Sequence, residues 1–157
     1  MIRIMFVCHG NICRSPMAEF IFKKMVEEAG LAEQFVIASS ATSTEEIWNG
    51  VGNPVYPPAR EELAKHGISC KGKHAVQLKK SDYEKYDLFL AMDSNNIRNI
   101  SRIFGYDPDK KVRKLLTYAG RTDDVADPWY SDRFDIAYAD IYEGCRGLLN
   151  ALCGADA

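Results

Sequence analysis

Short continuous apolar runs alternate along the chain with stretches in which apolar residues recur every three or four positions. Residues 2–7 are apolar except for Arg3, the pattern of a strand covered on both faces. From Ser15 to Ala29 the period changes. Met17, Phe20, Ile21, Met25 and Val26 recur at helical spacing, Pro16 suits a first turn, and Gly30 ends the helix. Phe35–Ala38 and Leu88–Met92 read as two further buried strands, and Val112–Leu116 as a weaker fourth. Helices are predicted over Pro57–His66, Asn95–Phe104 and about Asp132–Leu152. The last carries Phe134, Ala137, Tyr138, Ile141, Cys145, Leu148 and Leu149 on its inner stripe. Ser81–Glu84 has the form of a capping box. The stretches Ser39–Pro58 and Thr117–Ser131 have no such period and are too long for simple connectors, which marks them as functional loops.

Strands alternating with helices call for right-handed crossovers and a parallel sheet. The expected fold is α/β, a three-layer sandwich with a four-stranded parallel sheet of order 2-1-3-4 flanked by helices on both faces. Ligands of such sheets sit beyond the carboxyl ends of the strands. Cys8, Ser39, Asp93 and the 117–131 loop would all gather at that edge. No repeat, low-complexity segment or linker interrupts the 157 residues, so residues 1–157 are expected to form a single domain.

Composition narrows the function classes. With 46% apolar and 27% charged residues the chain can build a core, and its formal charge of −2 gives no footprint for a nucleic-acid binder. No run of 18 apolar residues suggests a membrane span, and Met1–Val7 is too short and lacks the organisation of a signal peptide, so the cytoplasm is the expected location. Five scattered cysteines fit a reducing compartment and free thiols. Cys70, Cys145 and Cys153 read as packing or surface thiols. His9, His66 and His74 are isolated, and no ligand spacing for a metal appears.

Cys8 and Cys13 need a different account. Cys8-His9-Gly10-Asn11-Ile12-Cys13-Arg14-Ser15 joins a buried strand to a helix. Gly10 permits backbone conformations closed to other residues, so successive amides could turn inward. The helix start adds unpaired N–H groups and the positive end of its dipole. Arg14 offers a planar fork for two phosphoryl oxygens. An oxyanion held there lies against Cys8, which suits a thiolate that attacks phosphorus and forms a covalent intermediate. Ser15 could donate its hydroxyl to that sulfur. A bare Cys-x5-Arg is a weak signal, but strand, cysteine, glycine, arginine, serine and proline in this order are not.

Residues 7–19, Val-Cys-His-Gly-Asn-Ile-Cys-Arg-Ser-Pro-Met-Ala-Glu, closely resemble the signature of the low-molecular-weight protein tyrosine phosphatases. The resemblance continues through Ser39–Thr44, Gly52–Arg60, His66-Gly67-Ile68, Met92–Asn95 and Asp127–Tyr130. His9 departs from the leucine of many members, and Ile47–Val51 looks longer than usual. The family implies hydrolysis of protein phosphotyrosine and small aryl phosphates through a cysteinyl phosphate, without metal or organic cofactor.

A thiolate nucleophile leaves the departing phenolate in need of a proton. The residues alone point only to the acidic, aromatic stretch Asp123–Tyr130; the resemblance selects Asp127. It also implies that Asn11 bonds within the loop and shares a network with Ser15, Ser39 and His66. The loop residues His9, Gly10, Asn11, Ile12, Cys13 and Ser15 line the substrate, with Trp48, Trp129 and Tyr130 as aromatic candidates for the rim. Cys13 could trap an oxidised Cys8 as a disulfide, a protection the resemblance supports. The implied partners are phosphotyrosine-containing proteins and phosphate or related oxyanions.

Three rivals share part of this pattern. Protein arginine phosphatases of the same scaffold carry threonine where this chain has Ile12. Thioredoxin-coupled arsenate reductases need a further cysteine pair, and residues 71–100 hold no cysteine. A mere anion-binding module would not need Cys8, Arg14, Ser15 and Asp127 together.

Overall fold

Alternate side chains of the first strand enter two different cores, and the rest of the architecture follows from that. The computed structural model describes residues 1–154. Strand β1 (Ile2–Cys8) sends Ile4, Phe6 and Cys8 to one face, and Met5 and Val7 to the other. Both sets are buried, which explains a nearly unbroken apolar run where a one-sided strand would alternate.

β1 pairs in parallel with β2 (Phe35–Ala41) and with β5 (Leu88–Ala91), and β5 pairs in parallel with β6 (Val112–Lys114). The sheet order is β2-β1-β5-β6. Counted over the four sheet strands alone this is the expected 2-1-3-4. The numbers in between belong to a small antiparallel hairpin, β3 (Ile47–Trp48) and β4 (Val51–Gly52). Its turn is Asn49-Gly50, both at positive φ, the backbone that a two-residue hairpin turn demands.

Helices α1 (Arg14–Glu28), α2 (Pro57–Lys65) and α5 (Phe134–Cys153) cover the larger core, with Ile4, Phe6, Met17, Ile21, Phe22, Leu63 and Ile141 in its interior. Helix α3 (Ser94–Phe104) covers the other face through Ile100 and Phe104 against Phe89 and Val7. The three layers of the α/β fold are thus in place. All seven apolar residues of the predicted inner stripe of α5 are buried. Gly147 lets α5 lie against the 3-10 turn Leu115–Ala119, because a Cβ at that position would run into the Tyr118 carbonyl.

Several boundaries differ from the sequence pattern. β2 continues three residues beyond Ala38, because Ser39, Ser40 and Ala41 pair with Phe6, Val7 and Cys8 of β1; at its end Ala41 also donates to the Val76 carbonyl and accepts from the Leu78 amide. Ser81–Glu84 begins no α-helix. It lies in a 3-10 turn, Lys80–Glu84, closed by the Asp82 carboxylate on the Lys79 amide. β6 stops at Lys114, where the 3-10 turn takes over. The 117–131 stretch holds a short helix, α4 (Pro128–Ser131), and Asp132, at positive φ, separates it from α5.

Candidate active site

The eight residues from Cys8 to Ser15 form a closed loop between β1 and α1, beyond the carboxyl edge of the sheet. Neighbouring backbone holds it from outside: Thr42 and Ser43 donate to the Cys8 and His9 carbonyls at 3.0 Å each, and Tyr56 to Ile12 at 2.8 Å. Three donors converge on Cys8 Sγ. The Asn11 amide lies at 3.3 Å, the Ser15 amide at 3.4 Å and Ser15 Oγ at 3.0 Å. Among the described residues, the amides of Gly10, Ile12, Cys13 and Arg14 take no protein acceptor. They line a cleft of about 470 Å³ together with Cys8, His9, Asp93, Asp127, Trp129 and Tyr130. Unpaired amides facing a cleft at a helix start are an oxyanion site.

Left-handed backbone is needed one residue later than expected. Asn11 has φ +59°, whereas Gly10 has no positive φ; a Cβ at Gly10 would meet Glu46 Cγ at 3.2 Å. Asparagine tolerates this region because its short amide can bond locally. The glycine serves close packing against the cleft wall instead.

The Asn11 side chain organises a buried chain of hydrogen bonds. Its Oδ1 accepts from the Val76 amide at 3.0 Å, so Nδ2 faces two hydroxyls: Ser15 Oγ at 2.7 Å and Ser39 Oγ at 3.0 Å. Ser39 Oγ in turn donates to Glu19 Oε1 at 2.5 Å. The polarity is fixed step by step. A carboxylate accepts only, Ser39 spends its proton on it, Asn11 donates to both oxygens, and the Ser15 proton is left for Cys8 Sγ at 3.0 Å, with the Ser40 carbonyl at 3.5 Å the more distant acceptor. Lys23 Nζ at 2.6 Å and Lys73 Nζ at 3.5 Å hold the Glu19 carboxylate. Burial pushes the Lys73 ammonium below its ordinary value, against the pull of Glu19.

The expected fourth member of this network, His66, lies elsewhere. At the end of α2 its ring stacks on Tyr138, centroids 3.7 Å apart, with Nε2 at 3.2 Å from Glu62. The sequence resemblance gave no reason to prefer Glu19 and Lys73. Glu19 sits one turn past Ser15 on the same helix, a spacing that could have suggested it.

Arg14 is 5% exposed in its side chain. Nη1 donates to Asp93 Oδ2 at 2.9 Å and to the Val125 carbonyl at 3.1 Å, and Nη2 lies 3.6 Å from Asp127 Oδ2. Burial works against its charge, but Cys8, Asp93 and Asp127 outweigh it and hold the guanidinium protonated. Asp127 caps α4, its Oδ1 accepting from Trp129 N at 3.0 Å, and it lines the cleft. Cys13 is buried, and its thiol is pushed up to about 12, first by desolvation and then by Cys8 and Asp127.

The rim is unevenly aromatic. Trp129 and Tyr130 line the cleft, 53% and 87% exposed, with Trp129 packed on Tyr56 at 5.0 Å between centroids. Trp48 projects from the hairpin, 80% exposed, and is not among the lining residues; Glu45 and Glu46 of the preceding turn take that place. His9 Nε2 pairs with Glu45 Oε2 at 3.0 Å across the mouth.

Comparison with known proteins points to one family and fold. The structures that match include one described as the YwlE arginine phosphatase, with a TM-score of 0.81 at 31% identity over 96% of this chain and 95% of that one. The family model described as low molecular weight phosphotyrosine protein phosphatase matches residues 3–155. The low molecular weight protein-tyrosine-phosphatase YfkJ of Bacillus subtilis is 36% identical over 97% of this chain and 96% of its own length. The low molecular weight phosphotyrosine protein phosphatase of Schizosaccharomyces pombe is 40% identical over 96% of this chain and 97% of its own length. The crystal structure of YfkJ superposes with a TM-score of 0.90 at 34% identity, covering 100% of this chain and 98% of that one.

Proposed function

The chain belongs to the low molecular weight phosphotyrosine protein phosphatase family, and we propose that Cys8, Arg14 and Asp127 divide between them the hydrolysis of protein phosphotyrosine. That the enzyme is a tyrosine phosphatase, a hydrolase, follows from the family; the residue roles are our reading of the site. The observation that carries it is the convergence of three donors on Cys8 Sγ beneath a cleft lined by unpaired amides and Arg14.

The phosphoryl group sits on the amides of Gly10, Ile12, Cys13 and Arg14, with the guanidinium holding its equatorial oxygens. Cys8 Sγ attacks phosphorus in line, the bond to the tyrosyl oxygen breaks, and Asp127 gives that oxygen its proton. Asp127, now a carboxylate, takes a proton from water as the water attacks the thiophosphate. The P–S bond breaks, inorganic phosphate forms, and the Ser15 hydroxyl stabilises the departing thiolate. His9, Asn11 and Ser15 shape the loop, and Ile12, Trp129 and Tyr130 present apolar surface to the phosphotyrosyl ring. A branched apolar Ile12 suits an aryl phosphomonoester better than phosphoarginine. Cys13 serves as partner of an oxidised Cys8: the sulfenic acid and the thiol condense to a disulfide and water. Residues 1–157 act as a single catalytic domain on phosphotyrosine-containing proteins in the cytoplasm. Among the described residues no helix is long and apolar enough to cross a membrane.

The test is a pair of variants. Cys8→Ser abolishes hydrolysis and retains inorganic phosphate binding, while Asp127→Ala slows aryl phosphates with poor leaving groups most. Equal loss for good and poor leaving groups sinks the acid assignment, and faster turnover of phosphoarginine than phosphotyrosine peptides sinks the substrate.

A further inference from the structure

The four residues that lead to Asp127 are each fixed to a different part of the molecule. Asp123 is held by Arg121, through Nε at 2.9 Å and Nη2 at 2.5 Å. Asp124 accepts from the Ser94 amide at 3.1 Å and from Lys114 Nζ at 2.8 Å, which ties it to α3 and β6. Val125 donates to the Met92 carbonyl at 2.9 Å and accepts from Arg14. Ala126 donates its amide to Asp140 Oδ2 of α5 at 3.3 Å.

Asp140 has a second tie. Its Oδ1 lies 3.0 Å from Arg121 Nη1, which also reaches Glu143 Oε1 at 2.9 Å. One guanidinium therefore gathers three carboxylates, and one of them touches the backbone next to Asp127. Arg121 and Asp140 close a loop from residue 121, through α5, to residue 126. Their side chains are 27% and 14% exposed. Isolated surface pairs contribute little, but fork-shaped, networked geometry of this kind fixes orientation.

We propose that Arg121 and Asp140 are a positioning pair for the general acid. They touch no substrate; they set where the backbone at Ala126 presents the Asp127 carboxyl. The inference rests on the reading of Asp127 as the proton donor. Proton transfer needs the carboxyl within hydrogen-bond reach of the leaving oxygen, and a displacement of about 1 Å can cost up to ~100-fold. Cys8 and the loop amides are held by other contacts, and Arg14 keeps its bond to Asp93 besides the one to Val125, so loosening the pair impairs protonation far more than phosphoryl binding and attack.

The readout is the dependence of kcat/KM on the leaving group, since this constant reports all steps through its departure. In Arg121→Met and Asp140→Ala, phenyl phosphate turnover falls roughly tenfold and p-nitrophenyl phosphate turnover less than about twofold. Either substitution adds no further loss once Asp127 is Asn, because the group being positioned is gone. A loss alike for both substrates, or none, in Arg121→Met and Asp140→Ala overturns the positioning role, provided Asp127→Asn itself discriminates between leaving groups. If Asp127→Asn does not discriminate, the general-acid reading falls and the inference falls with it. Thermal midpoints separate misfolding from misplacement, and Asp140→Ala, a good helix former on α5, remains measurable if Arg121→Met does not fold.

Discussion

Arg14 donates from Nη1 to Asp93 Oδ2 across 2.9 Å, while the other oxygen of Asp93 accepts the Asn96 amide at 2.7 Å. One carboxylate thus caps α3 and anchors the arginine of the anion site. The two duties can be separated. Asp93→Asn keeps the N-cap through its single oxygen but turns an amide N–H2 toward the guanidinium, so stability should hold while the inhibition constant of inorganic phosphate rises about fivefold as Arg14 loses its anchor. Asp93→Ala removes both contacts. It should lower kcat/KM by at least ~10-fold and stability by about 1 kcal/mol, read from kinetics and denaturant unfolding. Unchanged phosphate binding in Asp93→Asn would contradict the anchoring role.

The Glu19–Ser39–Asn11–Ser15 chain predicts an effect at a distance. Glu19→Gln weakens the bond that holds Ser39 and removes the charge that holds Lys73, so the Asn11 amide that leaves the Ser15 proton for Cys8 Sγ is less firmly placed. With one hydrogen bond to the thiolate worth about 1 kcal/mol, iodoacetate should alkylate Cys8 roughly fivefold more slowly at pH 6. An unchanged alkylation rate in a folded Glu19→Gln protein would show that the chain is structural only.

Cys13 should be unreactive in the folded state. Its thiol is pushed up to about 12, above the ordinary 9.0, so it stays neutral throughout the physiological range and its thiolate fraction rises about tenfold per pH unit. At pH 8, iodoacetate should label Cys8 and spare Cys13, as mass spectrometry of the peptides will report. Disulfide formation after peroxide should accelerate by about tenfold per pH unit between 7 and 9. Oxidation of Cys8 to a neutral sulfenic acid removes one cause of the raised value. A rate flat in pH would mean that Cys13 is not the attacking thiol.

His66 should matter to stability rather than to chemistry. Its stacking on Tyr138 and its contact with Glu62 tie α2 to α5, so His66→Ala should cost about 1–2 kcal/mol in denaturant unfolding. Alkylation of Cys8 should proceed at the wild-type rate. A slower reaction would return His66 to the network around the loop.

Much of the fold was legible because its signals are local. The apolar run of β1, the period of α1 and the inner stripe of α5 are written within each segment, and burial on both faces of β1 makes the run unmistakable. The short β3–β4 hairpin was hidden in a polar stretch, although Asn49-Gly50 carries its turn chemistry. The extension of β2 was not readable, because Ser39, Ser40 and Ala41 become strand by pairing with Phe6, Val7 and Cys8 of β1 and carry no apolar signal of their own. In the site, Cys8, Arg14 and Ser15 are neighbours in sequence and were found together. Glu19 carries no local signal beyond its spacing from Ser15 that sets it apart from other helix glutamates, and His66, which the resemblance implies for the network, does not join it.

The sequence by itself determined the anion loop, since strand, glycine, arginine and helix start lie within nine residues and their geometry is set by local backbone preference. It also determined, through family resemblance, which aspartate to suspect. Tertiary structure alone decided what surrounds them: Asp93 on Arg14, Glu19 and Lys73 behind Asn11, and the Arg121–Asp140 clamp behind Asp127. These contacts join residues 19 to 79 positions apart. No propensity or spacing encodes such pairs, because they exist only once the sheet has brought its carboxyl ends to one edge.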